Sequence, residues 1–304
     1  MDIQQLESFM QIAHHRGFNR ASAHLNIAQS ALSRQIKLLE NELGVELFVR
    51  NARGVHLTPA GDLLLSRATA ILRQVRQTRE ELMVQSEMPR GEVCIGLPPS
   101  LEEVVGVPLL TRFLESYPEV QLTSRTGVSI ELREWVLSGE VDLAIYGILQ
   151  PETILEAQPF FRDRVVVAGP PDWDWGEADE LSIRDIVDLP LILTPRPNSL
   201  RLLVDHAADR AQIKMNVTMQ LQSIPLTLAM LHRGHGFSVV PSTIAHQPIA
   251  MGMISARPLR YLSYNWIIAH SRERPLSIAS MRLIDMVHEI GMGEPIATSK
   301  LDLP

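Results

Sequence analysis

Two groups of polar residues in this chain have the type and spacing to do chemistry. The first is Gln29, Ser30, Ser33, Arg34 and Lys37 in QSALSRQIK. These positions fall on one edge if the segment is helical, because residues three and four apart share a face. A glutamine amide can pair with an adenine edge, hydroxyls accept or donate to either base, and Arg and Lys neutralise phosphate. The second group is scattered: Ser100, Thr126, Ser129, Asn198, Ser199, Arg201 and Ser223, each just past or near the end of an apolar run. In open α/β sheets such places face helix N-termini, where anions are favoured. Each of these hydroxyls and amides is equally a helix cap, and Arg201 is equally placed to pair with Asp205 at i+4.

Other chemistries are poorly supplied. No G-x-S-x-G, P-loop or G-x-G-x-x-G pattern occurs, and Gly234-x-Gly236 lacks a third glycine. His232 and His235 have no Cys or carboxylate at ligand spacing, and read as the end of a helix before a strand. The single cysteine, Cys94, excludes an intrachain disulfide and a multi-cysteine zinc site, and its apolar neighbours mark a core thiol. Neither cofactor nor metal is expected. Asp172-Trp173-Asp174-Trp175-Gly176 is conspicuous but lies in a connection of high turn propensity.

The first group needs a frame that keeps one helix face inside and offers the other. Residues 2–15 predict a helix ended by Gly17, with Ile3, Leu6, Phe9, Met10 and Ile12 inward. Asn19 can cap a second helix, and Asn26-Ile27-Ala28 breaks it. Leu32, Ile36, Leu39 and Leu43 then recur at helical period on the inner side of the polar edge. Residues 44–58 read as a hairpin whose tip is flanked by Arg50 and Arg53. Thr58-Pro59 is a hydroxyl cap followed by Pro at the first helical position. The helix it starts runs to about Glu87, with Leu64, Ala68, Ile71, Val75, Thr78 and Leu82 as a heptad seam that calls for a partner helix.

The segment FNRASAHLNIAQSALSRQIKLLENELGVELFVRNARGVHLTPAG resembles the winged helix-turn-helix of LysR-type transcriptional regulators, with Ser30 where many members have Pro and Asn19 where Ser or Thr is common. The resemblance implies that Gln29 and Ser33 face base edges with Ser30 close by. It also implies that Arg34, Arg50 and Arg53 contact phosphate or the minor groove, positioning the module without specifying sequence, that Lys37 is a further DNA contact, and that the long helix pairs two chains. PNSLRLLVDHA and QSIPLTLAMLHRGHGFSVVP are similar to the branch containing the nitrogen-assimilation control regulator.

Length and charge agree with several domains. The chain has 304 residues and a net charge of −7, which argues against nonspecific nucleic-acid binding by the whole molecule. The charge is uneven: residues 1–88 hold 10 Lys or Arg against 9 Asp or Glu, and the remainder holds 18 against 26. A near-neutral module binds phosphate if its arginines converge, with strong salt dependence, which favours two modules per particle. The start is not a signal peptide and no apolar run approaches membrane-spanning length, so a cytoplasmic protein off the membrane is expected.

From residue 91 onward, apolar runs alternate with helical patterns. Strands are predicted at 92–97, 120–126, 142–146, 154–161, 164–169, 191–194, 215–221, 237–240 and 264–270, and helices at 100–116, 129–138, 182–187, 198–210, 223–233 and 276–290. Such alternation predicts an α/β region built on parallel sheet, either one continuous domain or, since strand 154–161 lies midway, two subdomains linked by two crossings, which fits better. The resemblance implies a periplasmic-binding-protein-like effector domain of two subdomains. The expected division is a winged helix-turn-helix at 1–58, a linker and dimerisation helix at 59–88, and an effector-binding domain at 91–304. Within the last, subdomain I spans about 91–161 and 269–304, and subdomain II about 162–268.

The expected function is a regulator, not an enzyme, reading an inverted-repeat duplex as a dimer or a dimer of dimers. Its effector is expected to be a small carboxylate or sulfonate in the cleft, and RNA polymerase stays open as a further partner. The alternative is a solute-binding protein or small-molecule enzyme in which residues 1–88 are only an oligomerisation arm.

Overall fold

The computed structural model describes residues 1–51, 54–83 and 89–293. The chain forms two compact units, one running from Met1 through the long helix and one from the first strand of the α/β region onward.

The first unit begins with α1 (Ile3–His15), α2 (Phe18–Leu25) and α3 (Gln29–Leu43). Asp2 caps α1 in a reciprocal pair with Gln5. Arg16, not Gly17, ends α1 by turning left-handed at φ 50°, and Gly17 is the residue before α2. The expected Asn19 cap is therefore incorrect: Asn19 lies in the first turn of α2, whose start has no side-chain cap. Periodicity located the helix but not its first residue. Asn26 takes the left-handed turn at φ 55°, as its tolerance of that region predicts.

Leu32, Ile36 and Leu39 join Leu6, Phe9, Ile12 and Ala21 in one core. The fourth stripe position, Leu43, is 39% exposed, because the chain turns away at Gly44 with φ 70°. The hairpin is β1 (Phe48–Asn51) against β2 (Gly54–Leu57). Glu40 ties it to α3 by accepting the Leu47 N–H at 2.9 Å.

Thr58 Oγ1 accepts the Gly61 N–H at 3.0 Å and starts α4 (Pro59–Met83), about 37 Å long at 1.5 Å per residue. Gly61 is required there, since a Cβ would sit 2.2 Å from the Leu47 carbonyl oxygen. The heptad seam is divided. Ala68 is buried and Leu64 packed in this unit's own core, whereas Ile71 and Thr78 are exposed. Leu72, outside the seam, supplies another buried contact, and the Leu82 side chain lies outside the described residues.

The second unit runs β3 (Gly91–Leu97), α5 (Val107–Ser116), β4 (Val120–Thr126), α6 (Ser129–Ser138), β5 (Leu143–Ile148), β6 (Glu156–Gly169), β7 (Leu191–Leu193), α7 (Ser199–Ala211), β8 (Val217–Gln220), α8 (Ile224–His232), β9 (Ser238–Pro241), α9 (Ser242–Ala250), β10 (Ser255–His270) and α10 (Ile278–Gly293). One sheet has the order β4-β3-β5-β10-β6-β9, and β7-β8 continue it through a bridge between Leu191 and Phe237. Strands β4, β3 and β5 are parallel, while β10 lies antiparallel to both β5 and β6.

The strands β6 and β10 correct the expected outline. The two strands predicted at 154–161 and 164–169 are one strand, and the last strand starts at Ser255, far ahead of residue 264. Together they form a ribbon roughly 50 Å long, at about 3.3 Å per residue, that belongs to both halves of the unit. Arg162-Asp163 resembles a turn in the sequence, yet Asp163 is fully buried and receives hydrogen bonds from Ser242, Thr243 and Trp266.

Three further expectations change. Residues 183–188 make turns, not a helix. The helix predicted from Ser100 opens as a 3-10 turn at Pro99–Leu101 and a π turn at Glu102–Gly106 before α5. Helix α9, which carries Pro248 inside it, was not predicted.

Both faces of the first half are covered. Val93, Ile95 and Leu97 pack with Leu109 and Phe113 of α5 and Leu283 and Val287 of α10. Cys94 faces the other way, buried with Leu132 and Val136 of α6.

Candidate nucleic-acid interface and ligand cleft

On α3, Gln29, Ser30, Arg34 and Lys37 are exposed and Ser33 is half-buried, while Leu32, Ile36 and Leu39 face the core. The sequence thus places polar and apolar residues on opposite sides of one helix. Gln29 Nε2 donates to Ser33 Oγ at 2.7 Å, which holds the amide on the exposed edge and leaves its second N–H and its Oε1 for a base edge. Ala28 supplies no side-chain cap, which leaves the start of α3 to an outside acceptor such as phosphate. Arg50 stands on β1, with its side chain outside the described residues, and Arg53 lies outside them altogether.

The second unit contains a cavity of about 110 Å³ at the ends of its strands. Helix starts converge on it from both halves: Pro98, Pro99 and Ser100 after β3, Ser129 at α6, Asn198 at α7 and Ile224 at α8. Of the residues expected at a ligand, Ser100, Ser129 and Asn198 line this cavity. The others are not among its lining. Thr126 donates to Glu102, Ser223 caps α8, and Ser199 bonds Ser129 and Tyr264. Arg201 is 7% exposed and spends its guanidinium on Asp205 at 3.0 Å and the Thr194 carbonyl at 3.0 Å, the i+4 pairing its spacing allowed. Asn198 also serves as a cap, its Oδ1 accepting the Arg201 N–H at 3.1 Å.

The lining is neutral. It holds hydroxyls of Ser100, Ser129, Thr194, Thr227 and Tyr264, amides of Asn198 and Gln222, and an apolar wall with Leu228, Ile244 and Trp266, but no carboxylate and no cationic side chain. Charge inside such a space would be met by hydroxyl protons and helix N-terminal N–H groups.

Several titratable groups hold the frame. Burial pushes the Tyr264 phenol up, only partly offset by its hydrogen bonds with Ser199 and Ser129. Burial likewise raises the Asp163 carboxyl, outweighing the hydrogen bonds it accepts from Ser242, Thr243 and Trp266. Burial also acts to raise Asp205, but donors from Arg196 and Arg201 overcome it and leave the carboxyl below its ordinary value. Glu152, bonded by Arg133 Nε at 2.6 Å, is held down at about 2 by that partner and by backbone N–H groups, against the opposing effect of burial.

Tyr264 and Trp266 were missed in the sequence. They stand on a recognised strand, but alternation gives two faces without saying which one meets a cleft. A usable signal was Gly147, where a Cβ would lie 2.1 Å from the Tyr264 ring. The tryptophans of the 172–176 loop pack locally: Trp175 Nε1 donates to Ser255 Oγ at 2.8 Å, and both rings meet Phe237 edge-on. His232 Nδ1 is paired with the Met253 carbonyl at 2.8 Å. Among the described residues no helix is long and apolar enough to cross a membrane.

Comparisons with known proteins cover nearly the whole chain. The family described as "LysR substrate binding domain" matches residues 86–291, and "Bacterial regulatory helix-turn-helix protein, lysR family" matches residues 3–62. The transcriptional regulator BbuR of Bordetella bronchiseptica is 29% identical over 259 residues, covering 85% of this chain and 80% of its own. The nitrogen assimilation regulatory protein nac of Klebsiella aerogenes is 28% identical over 246 residues, covering 81% and 80%. Among solved structures, a full-length OxyR from Pseudomonas aeruginosa superposes with a TM-score of 0.74 at 23% identity, covering 100% of this chain and 99% of its own. Full-length CbnR in complex with its target DNA gives a TM-score of 0.69 at 21% identity, covering 95% and 100%. At these identities the structural likeness speaks for the fold alone.

Proposed function

The chain belongs to the LysR family of DNA-binding transcriptional regulators with an effector-binding domain, and from that premise we propose how its residues divide the work. The family's members here are regulators and not enzymes. Residues 1–58 are the DNA-binding domain, 59–88 the linker and dimerisation helix, and 91–304 the effector-binding domain, with subdomain I about 91–161 and 269–304 and subdomain II about 162–268. Gln29 and Ser33 read base edges with Ser30 beside them, and Arg34, Lys37, Arg50 and Arg53 hold phosphate. The observation that carries this reading is the exposed polar edge of α3 above its buried leucines. Gln29→Ala should relax preference at one base pair by roughly 1–3 kcal/mol, whereas Arg34→Ala should weaken all duplexes alike and flatten the salt slope. Equal losses on specific and random DNA for both variants would contradict this division.

The effector is a small carboxylate or sulfonate, held by Ser100, Ser129 and Asn198 with helix N-termini behind them, its apolar body against Trp266 and Leu228. Support comes from a lining that holds no carboxylate and gathers hydroxyl donors from both halves. Thr126, Ser199, Arg201 and Ser223 act as supports for this site. Titration calorimetry with a panel of small anions tests it, and binding by cations or neutral sugars alone would end the idea. In this reading two chains pair through α4, dimers combine into a tetramer on an inverted repeat in the cytoplasm, and effector binding alters the spacing of the modules for RNA polymerase. Analytical ultracentrifugation with and without duplex would test that assembly, and a monomer on DNA would refute it.

A further inference from the structure

Hydroxyls bond directly across the cleft. Ser129 stands at the first position of α6, on one half, and Ser199 at the first position of α7, on the other. Their oxygens are 3.0 Å apart. Ser199 Oγ also bonds the Tyr264 hydroxyl, so the three hydroxyls form a chain from Ser129 through Ser199 to the shared strand. Tyr264 lies on β10, the strand common to both halves, and its ring fills the notch that Gly147 leaves on β5. The ring is fixed further by an edge-on contact with Trp266 at 4.9 Å between centroids.

Each of these hydroxyls has one proton to donate and lone pairs to accept. Ser199 can donate to one neighbour and accept from the other at the same time, so it joins Ser129 to Tyr264. Ser129 and Tyr264 line that cavity; Ser199 stands behind them. An acceptor-only ligand such as a carboxylate or sulfonate competes for the Ser129 proton with Ser199, and where Ser129 is the donor across the contact, turning that proton to the ligand removes the direct bond between the two halves.

We infer that Ser129, Ser199 and Tyr264 form a hydroxyl latch that holds the two halves together, and that an anionic effector releases it by accepting the Ser129 hydrogen bond in place of Ser199. The second clause rests on the anionic-effector reading above. The latch itself does not, and it is tested without any ligand. Because the two serine oxygens are in hydrogen-bond contact, cysteines at these positions are placed for a disulfide. In the full chain carrying C94S, the pair S129C and S199C should crosslink within one chain on diamide treatment, with both thiols lost to Ellman's reagent. Two thiols that stay titratable in the folded chain would show that the empty cleft does not close here.

An alanine cycle tests the bond separately, and covers the case in which the cysteine variant fails to fold. With S199A present, adding S129A should lower the thermal midpoint of the ligand-free chain by clearly less than S129A lowers it alone. Strictly additive midpoints would overturn the latch. Calorimetry with inorganic sulfate and acetate on the S199A chain then separates the two clauses. Unaltered anion binding alongside a positive cycle would refute release by the ligand while leaving the latch standing, and tighter binding, by removal of the competing bond, is the result expected.

Discussion

Alanine at Gly147 tests most sharply how the cleft floor is built. A methyl group there would sit 2.1 Å from Tyr264 Cε1 and Cζ and 2.2 Å from its hydroxyl oxygen, where real contacts stay above 3.0 Å. The ring must therefore retreat by about an ångström, a displacement that close-packed interiors resist. It has no slack: Tyr264 is 3% exposed, set edge-on against Trp266 and bonded to Ser199. Overpacking of this kind costs about 1–3 kcal/mol, and the strained hydroxyl bond adds about 1 kcal/mol, so G147A should lose roughly 2–4 kcal/mol. Urea unfolding followed by circular dichroism reads this as a lower midpoint at unchanged slope. In a Y264A background the same substitution should cost next to nothing, because the ring it strikes is gone. A wild-type midpoint for G147A, or an equal loss with and without the ring, would refute the reasoning.

Other predictions follow from single contacts. The Glu152 side chain is 5% exposed, and the Arg133 guanidinium and backbone N–H groups hold its carboxyl at about 2, below the ordinary 4.5. At 1.36 kcal/mol per pH unit this contributes roughly 3 kcal/mol, fully present above pH 4.5 and lost as the pH falls toward 2. E152Q should be less stable at neutral pH and lack that acid-side loss; parallel pH profiles for the two proteins would contradict it. Gly61→Ala should destabilise the first unit by about 2–3 kcal/mol, because the clash is with the backbone carbonyl of Leu47 and no rotamer relieves it. Duplex binding that survives this change at the wild-type melting temperature would disprove the close approach. Ser8→Ala removes the hydroxyl that donates to Gln35 at 2.8 Å and should cost about 1 kcal/mol, read as a lower thermal midpoint, and no shift would mean the pair is not formed in solution.

Local signals carried much of the architecture. The 4-3 spacing of Leu32, Ile36 and Leu39 located the buried side of α3, and Thr58-Pro59 marked the start of α4, because caps and helical period are written in neighbouring residues. Asn19 misled for the same reason: it is a good cap residue, but α2 begins one residue earlier, at Phe18, whose ring is buried in the core with Phe9 and Ile12. The long ribbon was hidden because Arg162-Asp163 interrupts an apolar run. Only the distant Ser242, Thr243 and Trp266 make a buried carboxylate acceptable there. Pro248 disguised α9 in the same way, as a local breaker overruled by its tertiary surroundings. In the cleft, the capping positions were legible after each strand. Which caps face the cavity was not, since Ser129 and Ser199 occupy equivalent helix positions and only Ser129 lines it.

Reading of duplex DNA by the α3 edge is tested by binding of the chain to the duplex upstream of its own coding sequence. Fluorescence anisotropy against a random duplex of equal length, over a range of salt concentrations, measures it. The upstream duplex should be preferred by at least about 10³, with affinity falling steeply as salt rises. Equal affinity for both duplexes at every salt concentration, or no binding at low salt, would contradict it.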